Sequence, residues 1–588
     1  MNLNSRRRVA IACQGGGSHA AFTAGALDVL LSFFLERRDD YEIVAFSGTS
    51  GGAVCAYLAW SALSEQPDEQ RATEVAVSTL RSFWTLDNSA YWKARDPGSA
   101  LDVVANSSLA LLNLWRAVGE AVSGVDLSVQ LNPYDPQWQH WARHWRERFK
   151  KTIQENVDKV GVGTTTGQDV EEPTSPGGAP MLFIGAVNAL TGEFHVFKSH
   201  REEGNGFVSN YDEEDRISVD AVLASAAIPF VFEATHTGEA VYWGSSPTRD
   251  GREWRTCTGK GVYWDGLYSQ NPPVRELADA DPDEIWIIQI DPEEVREEPE
   301  TTADIEDRRN ELAGNVSLNQ ELYFVRKTNQ LVKRLGEWEE TGGPAKVLRV
   351  PRSGRHEKTY RTMKVRRVEI TQLLGFASKL DRSPSHLKRL LRDGEEQATY
   401  FLEAIDAQIS FEETWDRVLW GWQRRNGKDP ATQDPPDVDA AVGFFADEPV
   451  IELVPPVDSA GGPGRTAGWK GEGSEWLRRV LEWCVRENVT LEQSRDYRAR
   501  EIGPEKVFTC WALLTADSFD GPIKIRVKAV VRAGKVERLM LYPLGSKTMR
   551  WLKQGLESLD EDTGGRVFRK LEGETPPGSR GARGGGLR

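Results

Sequence analysis

With 588 residues, 39% of them hydrophobic and including 20 Trp and 21 Phe, the chain is too long for one ordinary core and has apolar material for two domains. A formal net charge of −16 at pH 7 argues against a protein built to coat nucleic acid. The five cysteines (Cys13, Cys55, Cys257, Cys484 and Cys510) contain no Cys-x-x-Cys pair, which disfavours a disulfide framework or a structural zinc site and suits a reducing compartment.

At the N-terminus, Arg6-Arg7-Arg8 precede the apolar run Val9–Cys13. That run is shorter than the roughly 7–15 residues of a signal core, so it reads as a buried strand. No run approaches about 18 consecutive apolar residues, so a cytoplasmic protein is expected, with any membrane contact peripheral. The strand breaks at Gly15-Gly16-Gly17, and a helical pattern follows over about Ser18–Leu35. A second unit repeats the order: the strand Glu42–Phe46, the turn Ser47–Gly52, then a helix over Ala53–Leu63. Two successive strand–turn–helix units with apolar strands predict an α/β domain, a mostly parallel sheet covered by helices on both faces.

Residues 72–154 read as broken helix and 161–180 as a polar loop, before strands at Met181–Asn188 and Glu193–Lys198. Further on come a buried strand at Asp283–Ile290, a long helix over Asn310–Leu335, a short strand at Val347–Val350 and a helix near Pro384–Ala407. Pro, Gly and Asp accumulate over 427–473 and predict a linker. A helix at Ser474–Glu487 and strands at Phe508–Leu514, Ile523–Val531 and Val536–Tyr542 then predict a small α+β domain. The tail from Gly573 is expected to be disordered.

Gly48-Thr49-Ser50-Gly51-Gly52 fits Gly-x-Ser-x-Gly between an apolar strand and an apolar helix. That spacing holds a serine on a sharp turn at the end of a sheet, with a helix N-terminus behind it to favour developing negative charge. Gly15, Gly16 and Gly17 occupy the same place in the first unit, where glycine amides can face a carbonyl oxygen unobstructed; a purely structural turn stays open there. A phosphate loop fails, because Ser18-His19-Ala20 stand where Lys-Ser/Thr is required, and a dinucleotide fingerprint fails at Ala20. For the base, His356 and His386 lie in Arg/Lys-rich segments, while His19 sits beside the glycine turn in the wrong chain order for an α/β-hydrolase triad. Asp265, in Tyr263-Trp264-Asp265-Gly266, is the simpler candidate, since partial burial would raise its basicity, while taken alone the motif fits an ordinary turn aspartate before a glycine better.

The segments QGGGSHAAFTAGAL (Gln14–Leu27), GTSGG (Gly48–Gly52), ASAAIPFVF (Ala224–Phe232) and DGLYSQNPP (Asp265–Pro273) resemble, in order and spacing, those of patatin-like phospholipases over roughly residues 7–410. The resemblance implies a Ser-Asp dyad acting on lipid acyl esters without metal or cofactor: Ser50 as nucleophile, Asp265 as base, Gly15–Gly17 as the oxyanion loop. The chain departs from the family at His19-Ala20, where Arg or Lys and then Gly are usual, and at Leu267, where Gly or Ala is frequent. The expected partner is a lipid or other acyl-ester substrate, not nucleic acid; oligomeric state is not legible in the residues. A thioesterase or polyester depolymerase using the same dyad, or a silent lipid-binding scaffold, are the alternatives.

Two helical stretches carry a double reading, as packed core or as lipid-facing surface: Trp138, Trp141, Trp145 and Phe149 among Arg and Lys, and residues 107–122. The domains expected are an acyl hydrolase over 7–410, a linker over 411–470, an accessory α+β domain over 471–560 and a tail over 573–588. The accessory domain loosely resembles the nuclear-transport-factor-2-like fold.

Overall fold

A computed structural model describes residues 6–66, 68–85, 134, 136–158, 160, 179–199, 217–229, 231–248, 251–293, 295, 298–340, 349–351, 357–359, 361–372, 374, 378–379, 381–415, 438–443, 445–453, 468–486, 490–493, 497–502, 505–515, 523–532, 535–543 and 569–571. The chain forms two compact units, residues 1–399 and 400–588.

The first unit opens with β1 (Arg7–Cys13), α1 (Ala20–Glu36), β2 (Tyr41–Gly48), α2 (Gly51–Glu65) and α3 (Glu69–Thr85). Next come α4 (Pro136–Asp158), β3 (Met181–Asn188), β4 (Phe194–Lys198) and α5 (Val219–Ser225). The strands β5 (Thr235–Thr248), β6 (Gly251–Asp265) and β7 (Glu284–Gln289) precede the long helix α6 (Thr302–Glu340). The strands β8 (Arg349–Pro351), β9 (Glu357–Thr359) and β10 (Lys364–Glu369) follow, then α7 (Pro384–Trp415), in which the boundary between the units falls.

The sheet of this unit runs β10-β7-β1-β2-β3-β6-β5, with β4 on β3. Pairing is parallel from β10 to β3 and antiparallel from β3 to β5. Side chains alternate faces along a strand. Ala10, Ala12, Ile285, Ile287 and Phe183 pack with Leu318, Leu322 and Val325, a stripe on one face of α6. On β7 the intervening Trp286 points to the opposite face, where its ring lies 5.1 Å from Phe34 of α1. Helices therefore cover both faces, as the sequence predicts. Residues 17–36 are apolar and long enough to span a membrane, but 72% of that window is buried inside the protein; α1 is a core helix.

Helices α1 and α7 touch backbone to backbone. A Cβ on Gly25 would stand 2.0 Å from the Leu391 carbonyl oxygen, and one on Gly394 2.0 Å from that of Phe22. Gly25→Ala is therefore expected to lower stability. Alanine's helix propensity returns about 1 kcal/mol, but forcing a methyl into a packed backbone contact costs about 1–3 kcal/mol, and here two backbones must move. Thermal unfolding of the purified variant checks the sign; an unchanged or raised Tm would refute the close contact.

In the second unit β13 (Thr490–Gln493) and β14 (Tyr497–Ile502) both pair with β15 (Glu505–Thr515). Antiparallel β16 (Ile523–Arg532) and β17 (Lys535–Pro543) follow, with Ile525, Val527 and Ala529 buried at every second position. The stretch read as a linker is not structureless. It contains α8 (Val438–Gly443) and β11 (Phe445–Leu453), which pairs parallel with β17, and reaches into β12 (Gly468–Glu472). Its Pro and Gly misled the reading because the apolar residues of β11 are interrupted by Asp447-Glu448-Pro449, where its register with β17 also shifts. The amphipathic helix α9 (Ser474–Arg486) buries Leu477 and Leu481, and β18 (Arg569–Leu571) pairs with β12. The expected disordered tail lies outside the described residues.

Candidate active site

The first two strands are adjacent and parallel, with Cys13 beside Gly48, so the loops that follow them leave the sheet side by side. β2 must turn into α2 within two residues, and the backbone concentrates that reversal at Ser50, with φ 54° and ψ −126°. A side chain held at such a φ stores about 1–3 kcal/mol, a burden found where surrounding contacts fix the position. The contacts are specific. Ser50 N donates to Ser225 Oγ at 2.9 Å, and Ser225 Oγ donates to the Gly185 carbonyl at 2.6 Å. Thr49 Oγ1 donates to the Gln270 carbonyl at 2.6 Å. Gly52 must lack a side chain, since its Cβ would lie 2.3 Å from the Cys13 carbonyl oxygen.

Asp265 arrives from the other direction. β6 is antiparallel to β3 and pairs Asp265 with Ala186, two positions beyond Ile184, the partner of Gly48. The carboxylate is thus delivered just past the end of β2, level with the serine turn. It is fully buried. Its amide donates to the Ala227 carbonyl at 3.0 Å, and Oδ1 accepts from Leu267 N at 2.8 Å. Burial pushes the carboxyl pKa up to about 7, against the opposing pull of the Leu267 amide, the Ser50 hydroxyl and the Lys379 charge. Oδ2 completes no hydrogen bond among the described residues, although the Ser50 hydroxyl is near enough to favour the charged form. The pair is adjacent but open, a looseness common before substrate binds.

The glycine loop packs directly on the serine turn. A Cβ on Gly15 would stand 2.3 Å from the Thr49 carbonyl oxygen and 2.9 Å from Ser50 Cβ, and Gly17 takes a φ of +59°. One expectation needs correction here. The Gly15 amide donates to Asn271 Oδ1 at 2.7 Å, and Asn271 Nδ2 returns a bond to the Gly15 carbonyl at 3.3 Å. The Gly15 amide is thereby engaged by Asn271, which takes it out of the expected set of oxyanion donors. Among the described residues no acceptor takes the amides of Gly16 and Gly17. Those two amides, with that of Gly51 opening α2, are the candidate oxyanion donors at the turn.

The histidine alternative finds no support. His19 Nε2 lies 2.7 Å from Ser378 Oγ, not against Ser50, and burial first, then the Lys379 charge, holds its pKa down to about 3. His386 packs edge-on to it with ring centroids 6.1 Å apart and shares its Nδ1 with Arg389; His356 lies outside the described residues. Among the described residues no cluster of His, Cys, Asp and Glu is arranged to hold a metal. On α4, Phe149 packs edge-on against Phe83 at 6.2 Å, which is the core reading for that residue. The side chains of Trp138, Trp141 and Trp145, and the whole of 107–122, lie outside the described residues.

Sequence reasoning missed Ser225 and Asn271, which set the serine and the glycine loop. Both lie inside segments already quoted, but each acts on a backbone group 175 or 256 residues away, and no local pattern marks such a partner.

The family model for patatin-like phospholipases matches residues 11–278. No curated protein matches the chain. Among solved structures, it is similar to an LEH-like epoxide hydrolase of Mycobacterium tuberculosis (14% identity, 27% of this chain and 97% of that one, TM-score 0.17). It is also similar to an NTF2-like protein of unknown function from Cytophaga hutchinsonii (13%, 18% and 76%, TM-score 0.13). A de novo designed protein with a curved β-sheet is comparable (13%, 26% and 96%, TM-score 0.17). Scores this low carry no argument about fold or function. The glycine loop, the Gly-x-Ser-x-Gly turn and Asp265 all fall inside the matched span, over which the chain is similar to patatin-like phospholipases.

Proposed function

We propose that the chain is a lipid acyl hydrolase working through a Ser50–Asp265 dyad. The observation that carries this reading is a fully buried carboxylate, its pKa pushed up to about 7, beside a serine held in a strained turn against which the glycine loop packs. Ser50 Oγ attacks the ester carbonyl while Asp265 takes its proton. The carbonyl oxygen becomes an anion and rests on the amides of Gly16, Gly17 and Gly51. The tetrahedral species collapses, the C–O bond to the alcohol breaks, and Asp265 returns the proton to the leaving oxygen. Water then attacks acyl-Ser50, Asp265 takes its proton, and the released Ser50 oxygen recovers a proton as the carboxylic acid departs. A pKa near neutrality suits a group that must be base and then acid in one cycle.

A small crevice of mixed lining, with Phe149, Leu223 and Phe232 beside Arg146, Glu233 and Thr235, lies next to the base, since Ala227, which also lines it, accepts the Asp265 amide.

Incubation with a panel of phospholipids, lysophospholipids, neutral glycerides, acyl thioesters and polyesters, read by mass spectrometry, tests the proposal. Release of fatty acid from lipid esters is expected, at a rate unchanged by EDTA, since no step uses a metal. Cleavage confined to thioesters or polyesters would reassign the substrate. No cleavage of any ester would leave a lipid-binding scaffold.

A further inference from the structure

The segment Ser378–Lys379 forms a roof over the glycine loop. A Cβ on Gly17 would stand 2.3 Å from the Lys379 carbonyl oxygen, and one on Gly16 3.8 Å from Lys379 Cε. Ser378 Oγ meets His19 Nε2 at 2.7 Å, fixing the start of α1 to the same segment. Lys379 Nζ reaches Asp291 Oδ1 at 2.6 Å, with the lysine side chain 11% exposed and the aspartate 1%. Asp291 lies just beyond the end of β7. Its amide and that of Ile290 both donate to Gln14 Oε1 at 2.9 Å, at the root of the glycine loop. On its other side it adjoins the Gly15 clamp: a Cβ on Gly314 would lie 2.8 Å from Asn271 Nδ2 and 3.2 Å from Asp291 Oδ2. The loop is thus framed by two linked holds, Asn271 on Gly15 and the Lys379–Asp291 pair over Gly16 and Gly17.

The sequence places no Arg or Lys beside the glycines, where His19 and Ala20 stand. We infer that Lys379, anchored by Asp291, is the positioning residue of the oxyanion loop, holding the Gly16 and Gly17 amides in place and setting a cationic field over the developing anion. This inference rests on the dyad reading above. The field already reaches the neighbouring titratable groups. Lys379 favours the charged forms of Asp265, Asp291 and Glu311, and disfavours protonation of His19. Burial is the larger influence on each of the four.

The test compares wild type with Lys379→Arg, Lys379→Gln and the doubly neutral Lys379→Met/Asp291→Asn. Gln keeps a donor for Asp291 without the charge, and the double variant removes both charges so that none is left buried alone. All are assayed, over a range of pH, on an ester that wild type cleaves and Ser50→Ala does not. Retention of activity by Ser50→Ala would overturn the dyad reading whatever Lys379 does, which keeps the two failures separate. In the neutral variants kcat is expected to fall about tenfold or more, a through-space effect smaller than the roughly 10²–10³ seen when a direct oxyanion donor is lost. KM should change little. The acid limb of the pH profile should move to higher pH, because Asp265 loses a cation that favours its charged form. Arg should restore both kcat and the limb. A kcat within twofold of wild type in either folded neutral variant overturns the inference. So does a fall in kcat with the limb unmoved, or failure of both neutral variants to fold; each makes the pair structural only.

Discussion

Ser50→Ala is expected to abolish ester hydrolysis, by at least about 10³-fold in kcat/KM, because in the proposed dyad the hydroxyl is the only group that forms the covalent intermediate. The fold should be indifferent to the change. What anchors position 50 is its backbone, through the amide bond to Ser225 Oγ, and alanine keeps that amide. Alanine also inherits the same strained φ of 54°, so its Tm should lie close to wild type. Ser50→Gly relieves that strain and should melt higher while equally inactive. Activity in Ser50→Ala within a few fold of wild type would refute the nucleophile assignment. A large drop in its Tm would show that the hydroxyl has a structural role that the geometry does not account for.

Asp265→Asn should lower kcat by roughly 10²–10⁴, the range for loss of a general base. It should also change stability in a pH-dependent direction. The folded pKa, about 7, lies above the ordinary carboxylate value of 3.8, so the native state holds a proton that the unfolded chain has released. Where the unfolded chain binds fewer protons, stability falls as pH rises. The wild-type protein therefore loses stability between about pH 4 and pH 7, as folding comes to require a buried charge. Asparagine, which can still accept from Leu267 N, carries no such charge. The variant should match wild type near pH 4 and exceed it above pH 7 by up to roughly 4 kcal/mol. Chemical denaturation at both pH values checks the sign. In activity, the wild-type acid limb should lie near neutrality; full activity at pH 5 would contradict a base with a raised pKa.

The fold was legible where apolar strands alternate with apolar helices. β1, α1, β2 and α2 have boundaries within a few residues of the expected ones, because burial on both faces leaves each strand almost wholly hydrophobic. β10 was not legible. Lys364–Glu369 has four charged residues in six, and no strand is expected there, yet Arg366 and Arg367 are both buried. Alternation sends one arginine to each face. Arg366 meets Glu284 at 2.7 Å, and Arg367 donates to Gln289 Oε1 at 2.5 Å. Burial alone would raise the Glu284 carboxyl, but Arg366 and Arg7 hold its pKa down to about 2. A buried charge whose partner lies 82 residues away carries no local signature. The site divides the same way. Ser50, Asp265 and the three glycines stand in short motifs whose spacing expresses their chemistry. Asn271, Asp291 and Lys379 owe their places to the sheet, which gathers them from distant parts of the chain. The clamp on Gly15 shows the limit: the motif identifies the loop but not which of its amides is already taken.

The most direct test of the dyad is covalent. A fluorophosphonate reacts only with a serine whose proton is drawn off and whose developing oxyanion is held, so it interrogates Ser50, Asp265 and the glycine loop together. Labelled protein should gain the mass of one phosphonyl group, and peptide mapping should place it on Ser50. Labelling should be lost in Ser50→Ala and slowed in Asp265→Asn by about the same factor as hydrolysis. Modification at another serine, or equal labelling of wild type and Ser50→Ala, would contradict the account.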